Sequence, residues 1–563
     1  MKKKDIASAV IDRVDYPNKG VFHVDETGEE GVVKNVIPGQ EVLFRVYKKH
    51  GTTVFGNRLE VVKPSPLETR PPLCDHFGRC GGCLYQTVPY ADQLRMKEEQ
   101  IRCLLGPVTD EDTVFDGIKA SPMEFEYRNK IDLSFGDEEI GGPLALGMHR
   151  TGTRYTVLDA ENCALAHPDM RLILKTIRDY CASAGLPFYN KLKHIGYLRY
   201  LMLRRSEASG EILAVLATSS QEEHDFGGLA EQLKALPLQG SFAGFHHAIC
   251  DRVADALLPD EVRCIFGRDY FYEKILGLTF KVTLFSFFQT NTRGAEVLYA
   301  AVRDYMETSG IGSPGADGRK PVIYDLYSGT GTIAQLVSKN AEHVYGIEIV
   351  SEAVEDARRN AAVNGIENCT FLAGDVPELL GTLPERPDYV ILDPPREGVS
   401  EKALRQINDY HIPNMVYISC KATSFLRDMV YLRRFGWKMS RFVLVDMFPQ
   451  TQHVETVVQL SKGNISSEKI RVEFNLEDMD MSKFQQGATY EQIQDWVQEK
   501  YGFHVTHLNI AKTKRKCGII ERQNYNLPKR EDSRSPETPK EKEEAIIEAF
   551  KVFQMIQALD KQD

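Results

Sequence analysis

The feature that most constrains the fold of this chain is the stretch PVIYDLYSGTGTIAQLVSKNAEHVYGIEIV at residues 321–350. It reads as a buried strand, a glycine turn, a helix and a second strand that ends at Glu348. Continuous apolar runs bounded by glycine are typical of a parallel sheet that is covered on both faces. Gly329 and Gly331 allow the backbone to turn sharply and to approach a ligand without a Cβ clash. The stretch therefore predicts a doubly wound α/β unit with a ligand at its glycine turn.

The ligand that the turn favours is an adenosine compound without a pyrophosphate. At the end of the second strand, the Glu348 carboxylate is placed to accept hydrogen bonds from both hydroxyls of a ribose. The spacing lacks the three-glycine pyrophosphate fingerprint, and the sequence has no Lys-Ser/Thr phosphate loop. S-adenosylmethionine (SAM) is the commonest ligand of this kind. The alternative is a plain β–α–β crossover that binds nothing.

The segments that follow continue the alternation of strands and helices. Strand-like runs end at Asp375 and Asp393, and a third run, MVYISC, ends at Cys420. In open α/β sheets the ligand lies outside the carboxyl ends of the strands. Glu348 and these three side chains are therefore expected to converge on one pocket, with Asp375 within reach of an adenine amino group.

Cys420 and Glu455 carry the predicted chemistry. A thiol between a strand end and a helix start gains from the helix dipole, which predicts a pKa below the ordinary value of about 8.5. Glu455, in HVETVV, is a base if it faces the pocket and a surface charge if it does not. A thiolate that adds to carbon 6 of uracil makes carbon 5 nucleophilic towards the SAM methyl group, and a base then removes the carbon 5 proton. Asp393 and Gln289 would hold the reactants, and a target base in folded RNA has to be flipped out.

The segment LFSFFQTN, residues 284–291, is predicted as a strand that ends at Asn291. Phe287 and Gln289 alternate along it and would share one face. A core strand edge without a functional role is the alternative.

Three cysteines, Cys74, Cys80 and Cys83, lie in CDHFGRCGGC, where two glycines allow the loop to wrap around a metal. A structural site is usually four-coordinate, and Cys163 in DAENCALAHP is our choice for the fourth ligand. The spacing does not separate zinc from a [4Fe–4S] cluster, because both accept four thiolates. The other cysteines among the 11 are scattered, which argues against a disulfide framework.

The remaining sequence divides into four predicted segments. In residues 1–63, short β-branched and aromatic runs alternate with glycines, which predicts a small antiparallel β-barrel of OB-like type. Its basic side chains could contact a nucleic-acid backbone or simply face solvent. Residues 64–280 predict an α+β central domain with the cysteine loop, 281–460 the SAM-binding domain, and 461–563 a small helical extension of unknown role.

Composition and charge limit the partners of the chain. Its net charge of -11 requires any nucleic-acid surface to be a local basic patch on an acidic protein. No stretch reaches a membrane-spanning length, and the first apolar run is too short for a signal peptide. We expect a cytoplasmic monomer without a membrane partner.

The motifs together resemble the RNA uracil-5-methyltransferase family, in particular the iron–sulfur 23S ribosomal RNA members. The resemblance covers roughly residues 5–460 and rests on the cysteine loop, FFQTN, DLYSGTGT, GIE, LDPPREG, ISC and HVET in the family's order. It implies that residues 1–63 are an RNA-binding TRAM domain and that 23S rRNA is the partner. One departure is that Lys421 and Ala422 stand where the family often has Asn and Pro.

The resemblance also implies roles for individual residues. Cys420 would be the nucleophile, Glu455 the base, and Phe287 a neighbour of the flipped base. The resemblance further implies SAM contacts at Gln289, Tyr327, Glu348 and Asp393, and a [4Fe–4S] cluster on Cys74, Cys80, Cys83 and Cys163.

Three alternatives stay open. The first is uridine C5 methylation of transfer RNA. The second is an amino-group methyltransferase, although Arg396 follows the two prolines where that class has an aromatic residue. The third is a non-catalytic RNA-binding or redox-sensing protein.

Overall fold

A computed structural model describes residues 1–24, 29–153, 155–253, 256–309, 318–462, 490–501, 503, 505–516 and 539–552. The chain forms two compact units, Met1–Val472 and Glu473–Asp563. Within the described part of the chain, no helix has both the length and the apolar character needed to cross a bilayer.

An N-terminal sheet is built from β1 (Ile6–Val10), β2 (Arg13–Asp15), β3 (Lys19–Val24), β4 (Glu29–Lys34), β5 (Glu41–His50) and β6 (Thr53–Lys63). The strands lie in the order β1-β5-β6-β4-β3-β2. β4 and β6 pair in parallel, so the prediction of a wholly antiparallel arrangement is wrong at this one pair. Gly31 and Gly56 make room for the core, because a Cβ at either would lie within 2.4 Å of the Phe22 or Phe44 ring.

The central sheet follows helix α1 (Tyr90–Leu105) and strand β7 (Val114–Lys119). It contains β8 (Lys130–Gly136), β9 (Ala145–His149), β10 (Val157–Asp159), β11 (Leu198–Arg205), β12 (Glu211–Thr218), β13 (Ser241–Ile249) and β14 (Glu261–Gly267), in the order β10-β9-β8-β11-β12-β13-β14. Helices α2 (Pro168–Ser183) and α3 (Gly227–Lys234) bury their apolar faces in the hydrophobic cluster on this sheet. A hairpin of β15 (Tyr270–Ile275) and β16 (Leu278–Thr283) leads to helix α4 (Thr292–Thr308).

The third sheet is the predicted doubly wound one. Its later strands are β17 (Val322–Leu326), β18 (His343–Glu348), β19 (Cys369–Ala373), β20 (Tyr389–Leu392), β21 (Asn414–Ser419), β22 (Trp437–Val445) and β23 (Glu455–Lys462), and its helices are α5 (Thr332–Val337), α6 (Ser351–Val363), α7 (Val376–Leu379), α8 (Glu401–Asp409) and α9 (Ala422–Arg433). Short 3-10 turns cover Gly106–Val108, Ser338–Asn340 and Leu380–Thr382.

Eight strands lie in this sheet in the order β19-β18-β17-β20-β21-β23-β22-β7. β23 runs antiparallel to both of its neighbours, and the other pairs are parallel. β7 comes from the predicted central segment, 64–280, and closes the edge of the sheet beside β22. The strands are buried on both faces, which explains their continuous apolar sequences.

The second unit contains α10 (Tyr490–Tyr501), α11 (His507–Lys516) and α12 (Lys540–Val552). Its core is formed by Ile493, Val497, Val505, Ile510, Ala545, Ile546 and Phe550. The predicted helix from Glu543 to Leu559 begins within α12, and residues 553–563 lie outside the described residues, as do residues 463–489 and 517–538 of the predicted extension.

Candidate active site

The parallel strands of the third sheet bring the predicted cofactor residues to one edge. Leu326 of β17 is in register with Leu392 of β20, and the Asp393 amide donates to the Leu326 carbonyl at 3.3 Å. Tyr327 and Asp393 are therefore neighbours directly beyond the strand ends. Tyr327 has a φ of 66°, a left-handed conformation that a tyrosine rarely adopts. The turn leaves its strand abruptly, as the glycine pattern predicts.

Glu348 lies next to this turn and fixes it. Its carboxylate accepts from the Gly329 amide at 3.1 Å and from the Val350 amide at 2.9 Å. A Cβ at Gly331 would lie 2.6 Å from the Phe371 ring, so the turn needs glycine at this position. The described structure thus places a half-buried carboxylate at the glycine turn, where a ribose would bind.

Asp375 follows the neighbouring strand, β19. The Gly374 amide donates to the Glu348 carbonyl at 2.9 Å, which holds Asp375 close to Glu348 along the same sheet edge. Asp375 is exposed and precedes α7 without making a side-chain capping bond. Its carboxylate is free of that helix and is available to a ligand.

Cys420 and Glu455 meet through strand pairing. β21 and β23 are antiparallel, with Ser419 opposite Thr456. The ladder ends at this pair, and the next residues are Cys420 after β21 and Glu455 at the start of β23, so both lie at the same end of the strand pair. Burial and then the charge of Glu455 raise the pKa of the Cys420 thiol, and the effect of Glu455 agrees with this proximity. Glu455 is buried, so the alternative of a surface charge is wrong.

The pocket holds three carboxyl groups that resist ionisation. Burial and then the charge of Asp393 raise the pKa of Asp325 to about 8 and that of Glu455 to about 8. Burial also raises the pKa of Asp393 to about 7.

The thiol differs from its sequence-based expectation. Burial, followed by the charges of Glu455 and Asp393, raises the pKa of Cys420 to about 12. The predicted lowering by the helix dipole is therefore wrong, because desolvation and two nearby carboxylates outweigh it. The Arg396 guanidinium acts in the opposite direction and favours the thiolate.

Gln289 lies in a segment that is not a strand, so that prediction is wrong. Arg204, buried in the core, donates to the carbonyls of Thr283, Leu284 and Ser286 at 2.7, 3.1 and 2.7 Å. A strand partner would need some of these same carbonyls. The segment bends instead, with Phe287 64% exposed.

The end of this segment starts a helix. Asn291 is the N-cap of α4 and accepts from the Gly294 amide at 2.9 Å. Gln289 contacts the buried Tyr299 hydroxyl of α4, whose pKa is raised by burial and then by Asp393. Tyr299 therefore links Gln289 to Asp393, because both residues influence the pKa of its hydroxyl.

Four pocket residues were missed by the sequence reasoning: Asp325, Arg396, Tyr299 and Tyr16. Asp325 and Arg396 lie inside the predicted motifs DLYSGTG and LDPPREG, and those motifs were the available signal. Tyr299 lies in α4, eight residues beyond the end of FFQTN, and Tyr16 lies in a turn of the N-terminal sheet. No local pattern links the last two to the pocket.

The four predicted metal ligands are brought near one another. Burial raises the pKa of Cys74 and the charge of Cys163 raises it further, while the backbones of His76 and Ala164, the residue after Cys163, act to lower it. Burial, and after it the charges of Cys163, Cys80 and Cys74, raises the pKa of Cys83 to about 12. Among the residues that the structure describes, no group of three or more His, Cys, Asp or Glu side chains has the arrangement of a metal site.

Comparison with known proteins decides the family. A family profile described as "Methyltransferase domain" matches residues 319–432. An uncharacterised RNA methyltransferase of Clostridium acetobutylicum is 40% identical over 462 residues, which are 82% of this chain and 99% of that relative. Another, from Caldanaerobacter subterraneus, is 39% identical over 463 residues, 82% of this chain and 100% of that relative. The chain belongs to the RNA methyltransferase family.

The fold of this RNA methyltransferase is shared with a solved structure. Pyrococcus abyssi tRNA (uracil-54, C5)-methyltransferase, in complex with S-adenosyl-L-homocysteine, matches with a TM-score of 0.62 and 24% identity. The match covers 81% of this chain and 100% of that chain. The predicted α/β class is confirmed, with a β-rich N-terminal sheet and the sheet of a class I SAM-dependent methyltransferase.

Proposed function

We propose that this RNA methyltransferase transfers a methyl group from SAM to carbon 5 of a uridine in 23S ribosomal RNA. The observation that supports the proposal is the register of β21 and β23, whose last pair, Ser419 and Thr456, adjoins Cys420 and the buried Glu455. A nucleophilic thiol and a base at one strand end are the two groups that methylation of a pyrimidine carbon needs. Amino-group methylation needs no thiol.

The proposed reaction begins with the thiol. Cys420 gives its proton to water, its sulfur bonds to carbon 6 of the uracil ring, and the electron pair of the carbon 5–carbon 6 double bond forms an enolate that is nucleophilic at carbon 5. SAM, when bound, supplies a methyl group to that carbon and leaves as S-adenosylhomocysteine. The Glu455 carboxylate then takes the proton from carbon 5, and the bond between carbon 6 and sulfur breaks as the double bond re-forms. Glu455 has the raised pKa of a group that exchanges protons near neutral pH.

The SAM-binding residues are proposed from their places at the sheet edge. Glu348 would accept from the ribose hydroxyls, and Asp375 from the adenine amino group. Tyr327 and Asp393, which follow the adjacent strands β17 and β20, would contact SAM near the glycine turn, and Gln289 is proposed as a further contact. Arg396 faces the thiol and favours its ionisation.

A substitution pair tests the chemistry. Cys420→Ala removes the nucleophile, and we expect methyl transfer from labelled SAM to unmodified 23S rRNA to become undetectable. Glu455→Gln leaves the thiol but removes the base, which is expected to slow turnover by about 10²–10⁴-fold and to leave RNA covalently bound to Cys420. The adduct is measured as a band on a denaturing gel that ribonuclease removes. An enzyme that keeps its activity without the thiol contradicts the covalent mechanism.

The identity of the RNA is tested separately. Unmodified 23S rRNA and unmodified tRNA are offered to the purified protein, and the methylated nucleotide is mapped by mass spectrometry. Label in 23S rRNA alone supports the proposal, and label in tRNA alone overturns the assigned substrate. Label in neither, with the folded protein and SAM present, supports the non-catalytic alternative.

We propose also that Cys74, Cys80, Cys83 and Cys163 bind a [4Fe–4S] cluster. The support is chemical: their thiols oppose one another's ionisation, so a bound cation would relieve the conflict. Anaerobically purified protein is expected to contain iron and acid-labile sulfide but no stoichiometric zinc. Cys163→Ser should lose most of the iron, whereas Cys103→Ser, at an exposed cysteine outside the group, should keep it. Zinc without sulfide would overturn the assignment.

The domain division stays a proposal as well: residues 1–63 as an RNA-binding TRAM domain, 64–280 as a central domain, 281–460 as the methyltransferase domain and 461–563 as an extension. We extend it to a monomer that acts in the cytoplasm.

A further inference from the structure

The turn between β2 and β3 of the N-terminal sheet is held rigidly. Asn18 has a φ of 81°, and its amide donates to the Asp15 carbonyl at 2.9 Å. Its side chain donates to the Val36 carbonyl at 2.9 Å and to the Tyr85 hydroxyl at 3.0 Å. It also accepts from the Val36 amide at 3.0 Å. The turn therefore presents its first residue, Tyr16, in one fixed direction.

The side chain of Tyr16, which follows β2 of the N-terminal sheet, is buried in a hydrophobic cluster of the methyltransferase sheet. It is only 6% exposed and packs in the hydrophobic cluster that contains Ala422, Phe425 and Val454. Ala422 follows Cys420 by two residues, and Val454 immediately precedes Glu455. The side chain thus shares one hydrophobic cluster with residues from both segments that carry the proposed nucleophile and base.

The charges around Tyr16 identify its position further. Its pKa is raised by burial first, and also by the charges of Glu455 and Cys420, while the Ala422 amide and Arg396 act in the opposite direction. The groups that face Cys420 in turn are Glu455, Asp393 and Arg396. Tyr16 is therefore a neutral phenol near the Cys420 thiol. Two carboxylates oppose the ionisation of that thiol.

The hydroxyl proton of Tyr16 has no acceptor in the described part of the chain. Burial raises the pKa of Tyr16, the Ala422 backbone acts to lower it, and no hydrogen bond from the Tyr16 hydroxyl to another described residue is found. A phenol with its donor unused, beside a group that must become an anion, is arranged to stabilise that anion.

We propose that Tyr16 is a positioning residue of the methyltransferase site: docked from the N-terminal sheet, its hydroxyl supports the turn at Cys420 and donates towards the sulfur as the thiolate forms. This inference rests on the proposed covalent function. Tyr16 keeps its proton throughout, so it adds no bond-making step. The Tyr16 contact makes the reactivity of the Cys420 thiol depend on how the N-terminal sheet packs against the methyltransferase sheet.

The variant Tyr16→Phe tests this with the shape of the ring preserved. Removing a hydrogen bond to a charged group is expected to lower kcat by about tenfold or more, with the KM values for RNA and SAM changed by less than about twofold. The second readout is the rate of Cys420 alkylation by iodoacetamide as a function of pH, followed by mass spectrometry of the Cys420 peptide without RNA or SAM. Because the pKa of Cys420 is about 12, the rates are compared at fixed pH values below it, where a rise of the midpoint by about one pH unit appears as alkylation that is about tenfold slower.

The matched control is Tyr85→Phe, which removes the hydroxyl that receives the Asn18 side chain of the same turn. It should lower thermal stability and leave the alkylation midpoint unchanged. An equal shift in both variants would mean that loosening the turn is the whole effect, which overturns the proposal. An unshifted Tyr16→Phe profile, or a rise in the KM for RNA alone, overturns it as well.

Failure of the proposed function is recognised independently. If Cys420→Ala methylates RNA normally, the covalent function is wrong whatever Tyr16 does. If Cys420→Ala is inactive and Tyr16→Phe matches the parent protein in both readouts, only the inference about Tyr16 is wrong.

Discussion

At the scale of single residues, the site is governed by three buried acids. Asp325, Asp393 and Glu455 have pKa values raised towards neutrality because burial, and for two of them the Asp393 charge as well, opposes ionisation. SAM carries a sulfonium and an ammonium group. A cation beside a carboxyl lowers its pKa, so binding should complete the ionisation of groups that are partly protonated at neutral pH.

We therefore expect SAM binding to release about one proton at neutral pH, because bound cations shift the proton equilibrium of these acids. The measurement is titration calorimetry in two buffers of different ionisation enthalpy. S-adenosylhomocysteine, which lacks the sulfonium charge, should release fewer protons and serves as the control. Equal release by both ligands would place the sulfonium away from these acids.

Asp325 also predicts how stability depends on pH. It is fully buried; one carboxyl oxygen accepts from the Ala334 amide at 2.9 Å, and the other has no partner among the described residues. Its folded-state pKa, about 8, exceeds the unfolded value of about 3.9. The stability that the protonated form contributes is complete below about pH 4 and is lost as pH rises through about 8.

Asp325→Asn removes that dependence and keeps the acceptor for Ala334. The Tm difference between variant and parent should be small near pH 4 and should favour the variant by at least about 2 °C above pH 9. Thermal unfolding over this pH range measures it. Asp375→Asn, at the exposed carboxylate, should show no such trend, and a constant difference for Asp325→Asn at every pH would contradict the assignment.

At the scale of elements, the sequence allowed prediction wherever a signal is local. The glycine turn, the strand ends at Glu348 and Asp393, and the apolar strands between them are written in continuous stretches. The failure at residues 284–291 has a physical cause: Arg204, eighty or so positions away, takes the carbonyls of that segment. A tertiary contact overrode an alternating pattern.

Asn291 shows what replaces the predicted strand. It caps α4 through the Gly294 amide and donates to the Met447 carbonyl at 2.9 Å and to the Ser121 hydroxyl at 3.1 Å. Asn291→Ala should lower the free energy of unfolding by about 2–3 kcal/mol, since it removes a cap and two buried hydrogen bonds. Urea unfolding measures the loss. Ser400→Ala, at the simple N-cap of α8, should cost no more than about 1 kcal/mol.

At the scale of the whole molecule, the pairings that complete the site join distant parts of the chain. β7 reaches the edge of the methyltransferase sheet beside β22, and Tyr16 reaches the pocket from the N-terminal sheet. Periodicity and spacing report on neighbours in sequence, so they do not identify the partners of β7 or of Tyr16. Cys420 and Glu455 were predicted as a pair because both belong to motifs, whereas Tyr16 belongs to none.

Helix α1 is attached to the same sheet by a buried ion pair. The Lys97 ammonium donates to Asp446 at 2.7 Å and to the Phe448 carbonyl at 3.2 Å, and the two charged side chains are 1% and 0% exposed. Burial lowers the pKa of Lys97, against the opposing effect of Asp446. Such a pair adds little net stability compared with apolar packing, but breaking it leaves one charge buried alone.

Lys97→Met should therefore lower the free energy of unfolding by about 3–5 kcal/mol, because Asp446 would stay buried without its cation. The double variant Lys97→Met/Asp446→Asn should recover part of that loss, since neither charge remains. Urea unfolding of the two single variants and the double variant gives the coupling between the residues. Arg102→Met breaks the exposed Arg102–Glu98 pair on the same helix and should cost less than about 1 kcal/mol. If the losses of the two single variants simply add in the double variant, the ion pair does not attach α1 to the sheet, and apolar packing of the helix must do so.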